Sequence, residues 1–158
     1  HHPNIKRVDV ESAQEMYEVA KEAYADADAG ILCAAVADFT PEAVANYKIK
    51  REKDDLIIRL QPTKDIAASL GTSKKEGQVL VGFALETNDE ANNAKGKLER
   101  KNFDFIVLNS LNDKGAGFRV DTNKITIIDK DGATPYPLKN KAEVAVDIID
   151  RLVETLNK

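Results

Sequence analysis

Two histidines, one cysteine and no tryptophan occur in the 158 residues. The histidines are His1 and His2, so a Ser-His-Asp triad, a HExxH metal site or a Cys-His dyad would have to draw on a terminus that frays. With Cys33 alone, the chain has no internal disulfide, no thiolate zinc cluster and no CxxC redox pair. Neither GxxxxGK[ST] nor GxGxxG is present, so no local glycine-rich cradle for phosphate is offered. No apolar run approaches the ~18 residues of a membrane span, and no charged-then-apolar leader opens the chain. Positive charge is not in excess either. The 23 Lys+Arg against 27 Asp+Glu leave −4, which argues against a sequence-blind nucleic-acid binder. What remains is chemistry done with lysines, carboxylates, backbone amides and a divalent cation, with no metal-ligating residue assigned.

What is present describes one domain, residues 1–158, with 42% hydrophobic and 32% charged residues. Residues 5–10 alternate apolar and polar, which predicts a short strand. Ser12-Ala13-Gln14-Glu15 is a capping box, and the apolar spacing behind it predicts an amphipathic helix of about four turns closed at Gly30. Residues 31–37 form an unbroken apolar run, the mark of a strand buried on both faces, and 56–60, 79–85 and 105–108 read the same way. A short helix fits 65–70, closed by Gly71. A second capping box, Thr87-Asn88-Asp89-Glu90, opens a helix to about Lys101. Residues 124–128 and 134–138 flank Asp131-Gly132 as a hairpin, and 141–156 form a helix with Val144, Ile148, Ile149, Leu152, Val153 and Leu156 as its apolar stripe. Buried strands alternating with helices predict an α/β fold: a Rossmann-like, mainly parallel sheet with flanking helices and a β-hairpin appendage suited to dimerisation.

In such a sheet, ligands gather at the carboxyl ends of the strands. Three ends carry candidates. Ala34-Ala35-Val36-Ala37-Asp38-Phe39 closes an apolar run with a carboxylate able to take ribose hydroxyls or a hydrated cation; a loop-initiating Asp explains it as well. Val81-Gly82-Phe83 offers close approach at glycine and a ring for stacking, or plain core packing. Asn109 leads to Gly115 and Gly117, a weak phosphate signal or simply a turn. Lys48-Ile49-Lys50-Arg51 presents alternating cations beside Glu52, Asp54 and Asp55. Lys97 and Lys101 lie four apart on one helix face, suited to a polyphosphate or to solvent. Cys33 reads as an inert core thiol.

Taken in order, AAVADF at 34–39, KIK at 48–50, KDIA at 64–67, VGFALET at 81–87, KLERKNFDFIVLN at 97–109 and GF..DTN at 117–123 resemble the phosphopantothenoylcysteine synthetase domain of the bacterial bifunctional coenzyme A biosynthesis flavoprotein. The resemblance covers nearly the whole chain. It implies a cytoplasmic, dimeric ligase that uses CTP with Mg2+ to join 4'-phosphopantothenate to L-cysteine. The pantothenate carboxylate attacks the α-phosphate of CTP to give an acyl-cytidylate, and the cysteine amine then displaces CMP. Carried over by position, Leu32, Cys33 and Ala34 hold the cytosine through backbone groups, and Asp38 contacts ribose or the metal-triphosphate region. Lys48 stabilises phosphoryl charge and is the expected catalytic residue. Lys64, Asp65, Ile66 and Ala67 form a nucleotide-contacting loop and helix start, Phe83 packs on the nucleotide, and Lys97 and Lys101 meet the phosphates. The family's usual proline stands where this chain has Lys64.

The family's domain also opens with a glycine-rich strand-turn and an Asn-x-Ser-Ser-Gly segment that carry phosphate-binding groups, and neither motif occurs here. The expectation is an N-terminally incomplete synthetase domain, with FMN confined to a decarboxylase domain elsewhere in the parent chain. Two alternatives accompany it: a module that binds CTP without turnover, and an ATP-using relative of the same ligase.

Overall fold

The computed structural model describes residues 2–51, 55–86, 89–110 and 120–158. Thr87 and Asn88 of the second capping box, and the loop with Gly115 and Gly117, lie outside the described residues. In chain order the elements are α1 (Ala13–Tyr24), β1 (Ala29–Leu32), β2 (Phe39–Pro41), β3 (Leu60–Pro62), α2 (Ile66–Ser73), β4 (Val79–Glu86) and α3 (Glu90–Arg100). β5 (Phe105–Ser110), β6 (Thr122–Asn123), β7 (Ile125–Asp129), β8 (Ala133–Pro135), β9 (Lys139–Asn140) and α4 (Lys141–Leu156) follow.

The central sheet has the order β1-β4-β5-β7-β8. β1, β4 and β5 are parallel, β7 is antiparallel to β5, and β8 is antiparallel to β7, so four of the five strands run one way. The hairpin of 124–138 thus joins the sheet through β7 and forms its antiparallel margin. β2 and β3 pair only with each other, as do β6 and β9.

Period-two alternation divides each strand between two helix layers. Val79 and Val81 of β4, with Phe105, Val107, Ile125 and Ile127, pack beneath Val144 and Ile148 of α4. Ala84, Ile106, Leu108 and Ile128 face Ala94 and Leu98 of α3. Leu80 meets Tyr24 of α1 and Ile66 and Leu70 of α2. The strands that read as unbroken apolar runs at 79–85 and 105–108 are those covered on both faces.

Several expectations change. Residues 5–10 form no strand: Ile5 and Val8 are exposed, and no described residue pairs with the segment, so the alternation lacks the partner that makes a ladder. α1 begins at its predicted capping box but ends at Tyr24, with Ala25 as its C-cap, and Gly30 lies inside β1. The run 31–37 stays in the sheet only to Leu32; β1 is an edge strand, and the residues after it wall a cavity instead of filling a core. Residues 56–59 are not strand, with Ile57 84% exposed. Gly71 lies within α2, not beyond it. The stripe of α4 splits in two: Val144, Ile148 and Leu152 face the sheet, whereas Ile149, Val153 and Leu156 are exposed.

Candidate functional site

At the carboxyl ends of β1 and β4 lies a cavity of about 400 Å³. Its wall is Leu32, Cys33, Ala34, Val36, Ala37 and Asp38 from the chain leaving β1, Thr63 to Ala67 at the start of α2, Phe83 of β4, Lys97 of α3 with Lys101 and Phe103 just beyond it, and Met16 and Ala20 of α1 with Ile31. Five separate stretches of chain therefore converge on one concavity at the end of the sheet where parallel strands leave their ligands.

Local chemistry explains why each side chain is where it is. The loop after β1 is held by Thr63, whose hydroxyl donates to the Ala37 carbonyl at 2.6 Å and whose N–H donates to the Asp38 carbonyl at 2.9 Å. Asp65 is the N-cap of α2: its Oδ1 accepts from the Ala68 N–H at 3.0 Å, while Oδ2 pairs with Lys101 Nζ at 3.1 Å. Burial pushes the Asp65 carboxyl upward, but the Ala68 amide and the Lys101 ammonium together outweigh it and hold the group below its ordinary range. Lys97 Nζ meets Glu86 Oε1 at 2.6 Å. Lys64 places its ammonium 4.5 Å from the centre of the Tyr17 ring. The Tyr17 hydroxyl is bonded to Ser69, and that bond, then Lys21 and Lys64, draw the phenol below its usual value.

Two glycines permit this convergence. A Cβ on Gly71 would stand 2.0 Å from the Lys101 carbonyl oxygen, and one on Gly82 would stand 2.4 Å from the Phe103 ring. Hydrogen there lets α2 press against the end of α3 and lets Phe103 lie across β4 beside the cavity. Asn102, with φ 50°, donates from Nδ2 to the Gly71 carbonyl at 2.8 Å and fastens the same junction.

Eleven of the twelve positions that the resemblance implies for nucleotide contact line this one cavity: Leu32, Cys33, Ala34, Asp38, Lys64, Asp65, Ile66, Ala67, Phe83, Lys97 and Lys101. Cys33 lines the cavity and is exposed, so it is no core thiol. Lys48 is apart from the others, exposed on the chain between β2 and β3, where it lines neither of the two cavities described here. Sequence reasoning missed Met16 and Ala20, which it assigned only to a core stripe, and Thr63, Phe103 and the Lys97 partner Glu86. The helix period marks an apolar face without saying that part of it looks into a cavity. The wall carries three lysines against Asp38 and Asp65, and the first residues of α2 add a helix start whose N–H groups lack intrahelical acceptors. Such a wall suits an anionic ligand with a flat apolar part to lie on Phe83.

A second cavity, of about 380 Å³, shares Leu32, Cys33, Ala34 and Phe83 with the first. Its remaining wall is Ala35, Ala84, Leu85, Asn109, Asn123 and Lys141.

Residues 1–156 match the family described as the DNA/pantothenate metabolism flavoprotein C-terminal domain. The chain is 56% identical over 151 residues to a cysteine/cysteine sulfinic acid decarboxylase from an unknown prokaryotic organism, covering 95% of this chain and 42% of that protein. It is 42% identical over 146 residues to the coenzyme A biosynthesis bifunctional protein CoaBC of Bacillus subtilis strain 168, covering 92% of this chain and 36% of that one. The crystal structure of the C-terminal domain of a coenzyme A biosynthesis bifunctional protein CoaBC superposes with a TM-score of 0.77 at 36% identity, over 95% of this chain and 65% of that chain. The chain thus spans about two fifths of the length of these two curated relatives. It belongs to the family of DNA/pantothenate metabolism flavoprotein C-terminal domains and is similar to the C-terminal domain of CoaBC.

Proposed function

We propose that this chain is a CTP-dependent ligase domain that joins 4'-phosphopantothenate to L-cysteine through an acyl-cytidylate. The observation that carries the proposal is the gathering of eleven expected nucleotide-contact positions, from distant parts of the sequence, around one cavity. A carboxylate is a poor acyl donor and repels a triphosphate, so the protein's main task is to hold two anions together and meet the charge that develops at the α-phosphate. Lys97 and Lys101 supply the cations. Each rests on a carboxylate, Glu86 or Asp65, that keeps its side chain extended toward the cavity before the ligand arrives. Phe83 gives the base an apolar surface, and backbone groups of Leu32, Cys33 and Ala34 read its edge. Lys48 is the catalytic cation in this reading, carried outside the cavity lining on the stretch that follows β2.

Among the described residues no group of three His, Cys, Asp or Glu gathers to hold a metal. Magnesium would accordingly enter on the triphosphate and be received by Asp38, where it would neutralise phosphate charge. No residue of this site is assigned to FMN, which belongs in this reading to a decarboxylase domain of the parent protein. The same proposal includes a homodimer and a cytoplasmic location. The hairpin around Asp131-Gly132, with exposed Ala133 to Pro135 and Leu138, is the element offered to a second copy. Exposed Phe39, Val44, Tyr47, Ile49, Ile57 and Leu60 supply further apolar surface, and no helix among the described residues is long and apolar enough to cross a membrane.

The test is pyrophosphate release by the full-length protein on mixing CTP, Mg2+, 4'-phosphopantothenate and L-cysteine, with ATP in competition. Release that prefers CTP supports the reading; preference for ATP moves it to the ATP-using class, and binding of CTP without release leaves a nucleotide-binding module. A second reading comes from the relative at 56% identity, whose name describes decarboxylation of cysteine or cysteine sulfinic acid. Release of CO2 from either amino acid without any nucleotide would favour it.

A further inference from the structure

We infer that Tyr17 is a positioning residue for the nucleotide, its ring seating the Lys64 ammonium at the cavity rim where it meets the phosphates; this rests on the ligase reading above. Lys64 lines the first cavity from the residues just before α2, and its Nζ stands 4.5 Å from the centre of the Tyr17 ring. At that distance the electron-rich face of the ring attracts the cation. Tyr17 itself does not line the cavity, so it acts through Lys64.

The ring is fixed from two elements. It projects from α1, whose neighbouring Met16 and Ala20 reach the cavity, and packs with Tyr24, Ile66, Leu70 and Leu80 where α1 meets α2. From α2 the Ser69 hydroxyl donates to the phenolic oxygen at 3.4 Å. The Ser69 N–H donates to the Asp65 carbonyl at 3.0 Å, so the helix turn that steadies the ring begins beside the residue it holds. Lys21, one turn further along α1, brings a second ammonium to 5.9 Å from the same ring centre and adds positive potential at this rim.

The three lysines of the wall are held in two different ways. Lys97 and Lys101 rest on Glu86 and Asp65, so a phosphate drawn to either cation also meets the carboxylate beneath it. Lys64 rests on an aromatic face. The ring covers one side of the ammonium without neutralising its charge, and N–H groups on the other side remain to donate to phosphate oxygens. A free lysine side chain also loses much rotamer freedom when a ligand orders it, and one already seated loses less. The face of the ring is what this needs, while the hydroxyl is spent on Ser69.

The test measures Kd for CTP and for cytidine, which lacks phosphate, by calorimetry on the full-length protein. Tyr17→Leu is expected to raise the Kd for CTP ~3-fold and Lys64→Met ~10-fold, with cytidine unchanged in both. Tyr17→Phe, which keeps the ring, should bind CTP as the wild type does, and Lys64→Arg should retain most of the affinity. In a Lys64→Met background Tyr17→Leu should add nothing, because its effect passes through the lysine. An equal loss with cytidine, a loss in Tyr17→Phe as large as in Tyr17→Leu, or a full further loss in the Lys64→Met background would overturn the assignment. Each would mean that Tyr17 only supports α1. Should Tyr17→Leu fail to fold, Lys64→Met decides: unchanged CTP affinity there overturns the proposal by itself. A wild type that binds neither CTP nor cytidine would instead remove the ligase reading beneath it.

Discussion

Replacing Gly71 by alanine places a methyl group 2.0 Å from the Lys101 carbonyl oxygen, 2.8 Å from its carbonyl carbon and 3.2 Å from the Asn102 Cβ. The obstacle is backbone, which cannot swing aside as the tip of a side chain can. Reaching the 3.4 Å at which ordinary contact begins requires α2 and the end of α3 to part by about 1.4 Å. That movement breaks the 2.8 Å bond from Asn102 Nδ2 to the Gly71 carbonyl and draws Lys101 away from Asp65. Overpacking of this kind costs ~1–3 kcal/mol and the lost hydrogen bond ~1 kcal/mol, against ~1 kcal/mol gained because alanine is the better helix former. The net expectation is a loss of about 1–3 kcal/mol, measured by urea unfolding at unchanged m-value, with Tm lower by ~2–4 °C per kcal/mol. Because Lys101 moves with the junction, CTP affinity should fall as well, by about tenfold. Gly96→Ala is the control. Gly96 lies inside α3 with only the Arg100 Nη1 tip at 3.6 Å from an added Cβ, so the same exchange there should stabilise by up to ~1 kcal/mol. A Gly71→Ala protein as stable as Gly96→Ala, with unchanged CTP affinity, would refute the account of how α2 and α3 assemble the cavity.

Lys48→Gln is expected to damage turnover more than CTP affinity, and equal losses in single-turnover kinetics and calorimetry would remove the catalytic role given to it. Asp65 has a depressed carboxyl pKa, so its contribution is present above the ~3.9 of the unfolded chain and is lost as pH falls through its lower folded value. Asp65→Asn, which keeps the cap but loses the charge, should therefore be less stable than wild type near neutrality and converge with it below pH ~4 in urea titrations. Asp129 accepts the N–H groups of Asp131 and Gly132 and pairs with Arg151 of α4, fastening the β7–β8 turn to the helix. Asp129→Ala should cost ~2–4 kcal/mol by thermal or urea unfolding, since it also leaves a mostly buried guanidinium unpaired on that side.

The elements legible in the sequence were those whose signal is local. Ser12 and Glu15 form their box, and α4 spans the residues its period predicted. β4 and β5 follow apolar runs that are in fact covered on both faces. The misses share one cause, which is that apolar spacing reports a need for cover without naming what covers it. Residues 5–10 have the alternation of a strand and no described partner; residues 33–37 have the composition of a core strand and form a cavity wall. Ile149, Val153 and Leu156 extend an apolar stripe past the width that the sheet can cover. The site residues came from ordered motifs, since none of these side chains alone, not even Asp38 or the Lys97 and Lys101 pair, distinguishes a ligand site from a solvated surface.

By itself, then, the sequence determined the α/β class, most helix limits and the chemical inventory of the site, because capping, periodicity and composition act within a few residues along the chain. Only the tertiary structure decided that eleven scattered positions face one cavity while Lys48 lies outside it. It also decided that Lys97 rests on Glu86 and Lys101 on Asp65, and that a second cavity shares the wall at the end of β1. Those facts depend on strand register and on how closely two helices approach, here on the missing Cβ of Gly71. They are set by packing between residues far apart in sequence, where no local pattern carries the distance.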